Sequence, residues 1–224
     1  MKKRMPRRVN GPRPARPVAL IWIALVPLMV GATSARAADY QPSAIPGWQK
    51  ILFDGETLYQ PQDGCIRAEA DGSASGLIRE LRQPLGDGAR LSWAWRADDM
   101  LEMARPAAEK TRGGDDFLAR VYVIHEGFFF WQTKAINYVW SRQHPVGESW
   151  PNPFTGNAVM VSVQSGSDGL GSWHRFERDV KADFKQFHNL EVDRIDAVAI
   201  MTDADNTGGY ASACYRLPEL SVSR

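Results

Sequence analysis

The feature that most limits this chain is how often its apolar runs are interrupted. Short apolar or alternating runs occupy residues 50–53, 65–69, 76–80, 90–97, 117–125, 135–141, 157–164, 173–180, 195–202 and 212–222, with Gly, Pro, Asp and Asn between them. Runs this brief, separated by turn chemistry, predict an all-β sandwich or barrel. Only residues 181–188 read as a helix, with Phe184 and Phe187 three apart. Residues 98–114, rich in Ala, Glu, Arg and Gly, are expected to form a mobile surface loop.

Alternation sorts side chains onto two faces, because successive strand residues point to opposite sides of a sheet. In "RLSWAWRA" Leu91, Trp93 and Trp95 share a face. In "FLARVYVIH" Phe117, Ala119, Val121 and Val123 oppose Leu118, Arg120, Tyr122 and Ile124. In "AINYVWS" Ile136, Tyr138 and Trp140 oppose Asn137 and Val139. The pattern suits a sandwich with one sheet partly open to solvent.

The start of the chain reads as a targeting segment. Lys2, Lys3, Arg4, Arg7, Arg8, Arg13 and Arg16 precede the apolar residues 18–30, and Ala35-Arg36-Ala37 follows. Basic, apolar and small-residue zones in that order predict a secretory signal peptide over residues 1–37, a mature domain over 38–224, and a periplasmic or secreted location. The apolar core is well short of the ~20 residues a membrane-spanning helix needs, and no span is expected after cleavage. The leader holds eight of the 27 basic residues and none of the 26 acidic ones, so the mature chain carries 19 against 26, a charge of −7. Such a surface repels phosphate backbones and disfavours nucleic acid as a partner. Cys65 and Cys214 lie near opposite ends of the mature chain. In an oxidising compartment they either form a disulfide or remain two buried thiols, and spacing alone does not choose.

Four segments bring a family into view. "SASGLIRELR" from Ser73, "GDDFLARVYV" from Gly114, "INYVWS" from Ile136 and "AVAIMTDADNTGG" from Ala197 together resemble domain-of-unknown-function family 3047, found in exported bacterial proteins. The resemblance runs from about Trp48 to Leu220 and implies a compartment and a fold but no activity. "WHRFERDVKADFKQF" from Trp173, with "IDAVAIMTD" and "ACYRLPELSV", also looks like the closing strands of galactose-binding-like jelly rolls, including carbohydrate-binding modules. That likeness implies a jelly-roll β-sandwich with one short helix. Pro218 departs from the pattern: lacking a backbone donor, it implies that the last strand is an edge or stops there. The calcium site some jelly rolls carry near that strand is correspondingly in doubt.

Candidate chemistry gathers in the loops. Asp203, Asp205 and Asn206 with Gly208 and Gly209 read as a plain turn, as ligand contacts, or as oxygen donors for calcium through Asp203 and Asp205. Asp115 and Asp116 either cap backbone or join Asp203 and Asp205, where mutual repulsion would raise a proton affinity or demand a cation. Arg120 and Tyr122 share a strand face, and Arg120 is expected to join a polar platform or to pair with Asp115 or Asp116. Trp140, Trp150 and Asn152 are placed to reach a ligand, since sugar rings stack on indoles and hydroxyls pair with amides. His144, in a Pro/Gly loop, is the histidine best placed for proton transfer.

Familiar catalytic machinery is missing. The four histidines show no zinc spacing, Ala74 stands where a nucleophile elbow needs Ser, and no glycine-rich phosphate loop is present. The leading expectation is therefore a non-catalytic domain that recognises a glycan-like or other small polar ligand, with no cofactor expected and calcium as the one ion these oxygen donors suit. One alternative is a carbohydrate-active hydrolase or lyase using Asp115, Asp116 and Asp203, with His144. Another is an envelope assembly protein that touches its partner through Phe128, Phe129, Phe130 and Trp131.

Overall fold

A computed structural model describes residues 40–127 and 132–222, so the leader and the Phe128 to Trp131 run lie outside the described residues. The chain folds into a jelly-roll type β-sandwich. Its strands are β1 (Tyr40–Pro42), β2 (Gln49–Asp54), β3 (Leu58–Gln62), β4 (Cys65–Asp71), β5 (Ala74–Pro84), β6 (Arg90–Arg96), β7 (Arg120–His125), β8 (Lys134–Ser141), β9 (Ser149–Pro151), β10 (Ala158–Ser165), β11 (His174–Asp179), β12 (Arg194–Asp203) and β13 (Tyr210–Ser221). An eight-stranded sheet runs β1-β2-β5-β12-β7-β8-β10-β9, and a five-stranded sheet runs β11-β6-β13-β4-β3. All neighbours are antiparallel except β8 and β10. No helix among the described residues is long and apolar enough to cross a membrane.

The inner faces are where the alternation places them. Leu91, Trp93 and Trp95 of β6 and Ala211, Ala213 and Tyr215 of β13 meet Val121, Val123, Ile136, Tyr138, Trp140, Val198 and Ile200 from the larger sheet. Trp93 stacks between Tyr138 and Phe176, with centroids 5.0 and 5.1 Å away, so aromatic rings join the two layers. The outer face of the larger sheet is also apolar in its middle, built from Ile51, Ile78, Tyr122, Ile124, Ala199 and Met201.

α1 (Val180–His188) joins the layers at one side. Asp179 caps it by accepting from the Ala182 amide at 3.0 Å, and Asn189 ends it in the left-handed conformation. Val180 and Phe184 are buried, and Asp183 accepts from Tyr138 Oη at 2.6 Å and from Arg178, tying β8 of one sheet to β11 of the other.

The structure corrects several expectations. β1, β3 and β9 are too short or too polar for their alternation to register. β3 is the edge of the smaller sheet, where Pro61 costs no ladder bond. β7 starts at Arg120 rather than at Phe117, so Phe117 leaves the inter-sheet face and packs with Val139, Trp150 and Met160. Residues 98–114 are irregular but pinned: Glu102 bridges Tyr210, the Arg105 amide donates to the Thr207 carbonyl, and Glu109 is fully buried, accepting from Ser141 Oγ at 2.6 Å. Gly209 permits this approach, since a Cβ there would lie 1.8 Å from the Glu102 carbonyl oxygen. Pro218 does not end the last strand. β13 passes it on a bulge between Arg216 and Glu219, beyond Tyr215 where pairing with β4 ends, so the missing donor faces no partner.

Cys65 and Cys214 form a disulfide between β4 and β13, with Cα atoms 5.7 Å apart and 149 residues of separation. Chain-entropy reasoning for so long a loop gives about 5 kcal/mol as an upper value. The Cys65→Ser, Cys214→Ser double variant is expected to unfold at lower denaturant, by up to that amount in equilibrium urea melts, with its strand signal unchanged.

Candidate functional site

The two aspartate pairs, far apart in sequence, meet at one end of the larger sheet. β12 runs to Asp203 beside the start of β7, where Met201 pairs with Arg120, and the chain then turns through Ala204 to Gly209. The segment preceding β7 brings Asp115 and Asp116 to the same end. Arg120 is 2% exposed and sits between the pairs. Its Nε donates to Asp203 Oδ1 at 2.9 Å and its Nη1 to Asp115 Oδ2 at 3.1 Å, while Nη2 bonds Asp203 Oδ2 and the Asp115 carbonyl. The guanidinium carbon also lies 4.5 Å from the Phe117 ring centroid. Burial alone would lower the Arg120 pKa; Asp115 and then Asp203 outweigh it and hold the group well above its usual value. Arg120 is therefore a fixed positive charge.

Each aspartate has a separate task. Asp203 accepts from the Phe117 amide as well as from Arg120. Asp116, fully buried, accepts from the amides of Asn206 and Thr207, from Asn206 Nδ2 at 3.0 Å and from Thr207 Oγ1 at 2.6 Å, which fixes the 204–209 turn. Asp115 is 1% exposed; its Oδ2 faces Arg120 and Asn152 Nδ2, and its Oδ1 has no hydrogen-bond partner. Asp205 is half-buried and accepts from Asn206 Nδ2 at 2.9 Å. Carboxylate oxygens of Asp116, Asp203 and Asp205 lie within 4.8 Å of one another. Burial, above all, raises Asp115 to about 6 against the pull of Arg120, and burial with the charge of Asp116 raises Asp205 to about 6.

A cleft opens among these groups, lined by Phe53, Asp115, Asn152, Met201, Asp205 and Asn206 and floored by Arg120, Tyr122 and Asp203. It holds about 20 Å³ of free space, enough for one water, hydroxyl or ion. Asn152 is held at its rim by accepting from the Phe154 and Thr155 amides. Behind the cleft a buried hydroxyl network joins the sheets: Tyr215 Oη donates to the Met201 carbonyl at 2.7 Å, Thr202 Oγ1 to the Leu118 carbonyl at 2.8 Å, and Tyr59 Oη to the Ser75 carbonyl at 2.6 Å.

Not every candidate residue arrives here. Trp140 is fully buried in the inter-sheet core with Nε1 donating to the Gly166 carbonyl at 2.9 Å, so it offers no stacking surface. Trp150 is buried too, stacked on Phe117. His144 pairs with Glu148 at 3.2 Å, has its ring 4.9 Å from that of Trp150 and bonds none of the cleft carboxylates. Arg120 and Tyr122 do share the outer face, but Tyr122 Oη is taken by Met201 Sδ at 3.4 Å, and burial raises its phenol well above the usual value. Phe53, Met201 and the Thr207 lock on Asp116 were not foreseen; Thr207 stands in the "DADNTGG" turn, where a hydroxyl beside Asn is a usable capping signal. A larger groove of about 1000 Å³ lies against the smaller sheet, lined among others by Gln62, Ser92, Arg175, Arg216 and Glu219. It brings no buried charges together.

Two outcomes follow for stability. Arg120→Met leaves Asp115 and Asp203 buried without their counter-charge and is expected to cost about 3–5 kcal/mol in denaturant unfolding. Asp115 and Asp205 titrate near 6 when folded, against about 3.9 in an unfolded chain. The folded state then holds more protons between those values, so their contribution is present at low pH and is lost as pH rises from about 4 to about 6. In metal-free buffer Asp115→Asn is expected to flatten the melting temperature across that window.

Comparison with known proteins places the chain without naming its ligand. None of the curated proteins matches it significantly. Solved structures with a similar arrangement include the family 11 carbohydrate-binding module from Clostridium thermocellum bound to a β-1,3-1,4-mixed-linked tetrasaccharide. It is 11% identical, with 80% of this chain and 91% of that one covered and a TM-score of 0.39. The xyloglucanase domain of NopAA from Sinorhizobium fredii is 8% identical over 85% and 100%, with a TM-score of 0.46. The family 11 xylanase from Neocallimastix patriciarum is 10% identical over 82% and 95%, with a TM-score of 0.44. Residues 46–217 match the model of a family described as proteins of unknown function, DUF3047, and the chain belongs to that family.

Proposed function

We propose that this protein is an exported, non-catalytic binding domain that recognises a hydroxyl-rich, glycan-like ligand at the cleft between Asp115, Asn152, Asp205 and Asn206. The observation that carries this reading is Asp115, which lines the cleft and whose Oδ1 is screened from solvent and has no donor within the protein. Buried acceptors are nearly always satisfied, and an orphan beside an opening invites a partner from outside. The cleft admits one small polar group, while Asn152, Asp205 and Asn206 present amide and carboxylate atoms at its rim to the rest of a ligand. Export is supported by the basic, apolar and small-residue order of the first 37 residues and by a disulfide suited to an oxidising compartment.

Commitment of the other carboxylates argues for binding rather than turnover. Asp203 is clamped by Arg120 and the Phe117 amide, and Asp116 is spent on the turn that it holds. One observation favours a second reading as a hydrolase: Asp115 and Asp205, both pushed to about 6, border one opening and would change protonation near neutral pH.

Glycan arrays probed with wild type, Asn152→Ala, Asp205→Ala and Arg216→Ala separate the possibilities. Retention of a glycan by wild type and Arg216→Ala, with at least about tenfold weaker retention by the two cleft variants, is the expected result. Loss on Arg216→Ala alone would move recognition to the groove on the smaller sheet. Reducing ends released by wild type but not by Asp205→Ala would establish the hydrolase.

A further inference from the structure

We infer that the groove on the smaller sheet is a second ligand site, which takes an acidic oligosaccharide by holding a carboxylate of the sugar between Arg175 and Arg216. It shares no lining residue with the cleft and does not rest on the proposed function. The register of three strands builds it. Leu91, Trp93 and Trp95 of β6 point inward, so Ser92 and Ala94 face out. Arg175 of β11 and Arg216 of β13 both pair with Ala94, while Glu177 and Glu219 both pair with Ser92. The two small residues therefore floor a trough walled by long charged side chains, and all six border the groove of about 1000 Å³. The bulge that carries Pro218 contributes, because its extra residue brings Glu219 back to the face that Arg216 occupies.

The two arginines stand out by their missing partners. Arg67, Arg90 and Arg96 of the same sheet each have a carboxylate oxygen within 3.1 Å, from Glu69, Asp179 and Asp98. Arg175 makes no ion pair or side-chain hydrogen bond among the described residues. Arg216 makes only a contact with the Trp173 ring, its guanidinium carbon 4.6 Å from the centroid. Stacking on an indole restrains the side chain and leaves the N–H donors at the guanidinium's edge free. Two strand spacings, about 9.5 Å, separate the backbones of Arg175 and Arg216. A carboxylate lying above Ala94 then meets a planar fork from each side, the geometry in which arginine binds that group best.

The acidic pair decides which anion fits. Glu219 has no partner among the described residues, and Glu177 has only Arg90 at 3.8 Å. They lie one side-chain step along the strands from the arginines, about 6.5–7 Å. Like charge at that distance excludes a densely charged chain of phosphates or sulfates. A uronic acid carries one carboxylate, and hydroxyls of its own ring and the next reach the glutamates as donors, which carboxylates accept. An extended peptide is the poorer match. Peptide strands dock by adding to a free sheet edge, whereas β6 is paired on both sides and has no backbone groups to offer.

Calorimetric titration with a short galacturonate oligomer, and with the same oligomer methyl-esterified at its carboxyls, tests the site. Wild type is expected to bind the acid form and to bind the ester at least about tenfold more weakly. Arg175→Ala and Arg216→Ala are each expected to weaken the acid form by about tenfold or more, and Asp205→Ala at the cleft to leave it unchanged. Both arginines are exposed, so the variants are expected to fold, and matched urea melts check this. No binding of the acid form, or equal binding of acid and ester, would overturn the inference. Loss on Asp205→Ala with both arginine variants intact would do the same, by assigning the acidic sugar to the cleft. A glutamate oligopeptide bound as tightly as galacturonate would overturn the choice of a sugar. Failure here leaves a neutral glycan at the cleft untouched, and an empty cleft on the arrays leaves this site untouched.

Discussion

The end of the sheet that carries the cleft is organised around a buried guanidinium. Arg120 stands at the first residue of β7 with Asp115 on one side and Asp203 on the other, 2% exposed and open only to the small cleft that it helps to line. A charge taken out of water at that depth is tolerated only when its partners meet it in good geometry, and here two carboxylates and a carbonyl oxygen do so. The end of β12 and the segment before β7 are joined through it, its amide donates to Tyr215 Oη, and the turn after β12 is held beside it by Asp116. The arrangement satisfies the arginine and leaves one oxygen of Asp115, a residue that lines the cleft, without a donor.

The division of side chains between the two faces of the larger sheet then decides what kind of surface surrounds the cleft. The aromatic residues of β6, β8 and β11 are used as mortar between the layers, where Tyr138, Trp93, Phe176, Trp95 and Trp140 pack in sequence, all stacked except the tilted Phe176–Trp95 pair. The outer face is left with aliphatic residues, relieved by Phe53 and Tyr122. Affinity for a hydroxylated ligand at this face therefore depends on the polar end rather than on ring stacking along the sheet. The polar groups there are held by bonds made inside the protein, so a ligand at the proposed site would spend little energy on ordering them.

Much of this was legible in the sequence, for identifiable reasons. Period-two alternation in "RLSWAWRA" and "INYVWS" reports strands and separates their faces, and the Asp, Asn and Gly residues at 203–209 mark a turn that needs their chemistry. That Asp115 and Asp116 would approach Asp203 and Asp205 followed only as a conditional, because local patterns carry no strand order. Alternation also does not say which face points inward: Trp140 fits a core and a binding surface equally well, and packing against Trp95 decides. Glu109 was illegible because its partners, Ser141 and the Arg142 amide, come from a distant strand end. The edge position of Pro61, the bulge that carries Pro218, and the pairing of Cys65 with Cys214 are facts of sheet order too, which a linear reading does not contain.

The covalent link between β4 and β13 makes a closed ring of the polypeptide from residue 65 to residue 214, and every polar residue lining the cleft lies on that ring. A protease that cuts once within it, in the long connection at 98–114 for instance, cannot separate the two pieces. Asp115 and Asp203 would stay tethered through sulfur as well as through the sheet, and the clamp on Arg120 would have no route to drift apart. Such a molecule, scarred by one cut, keeps its cleft.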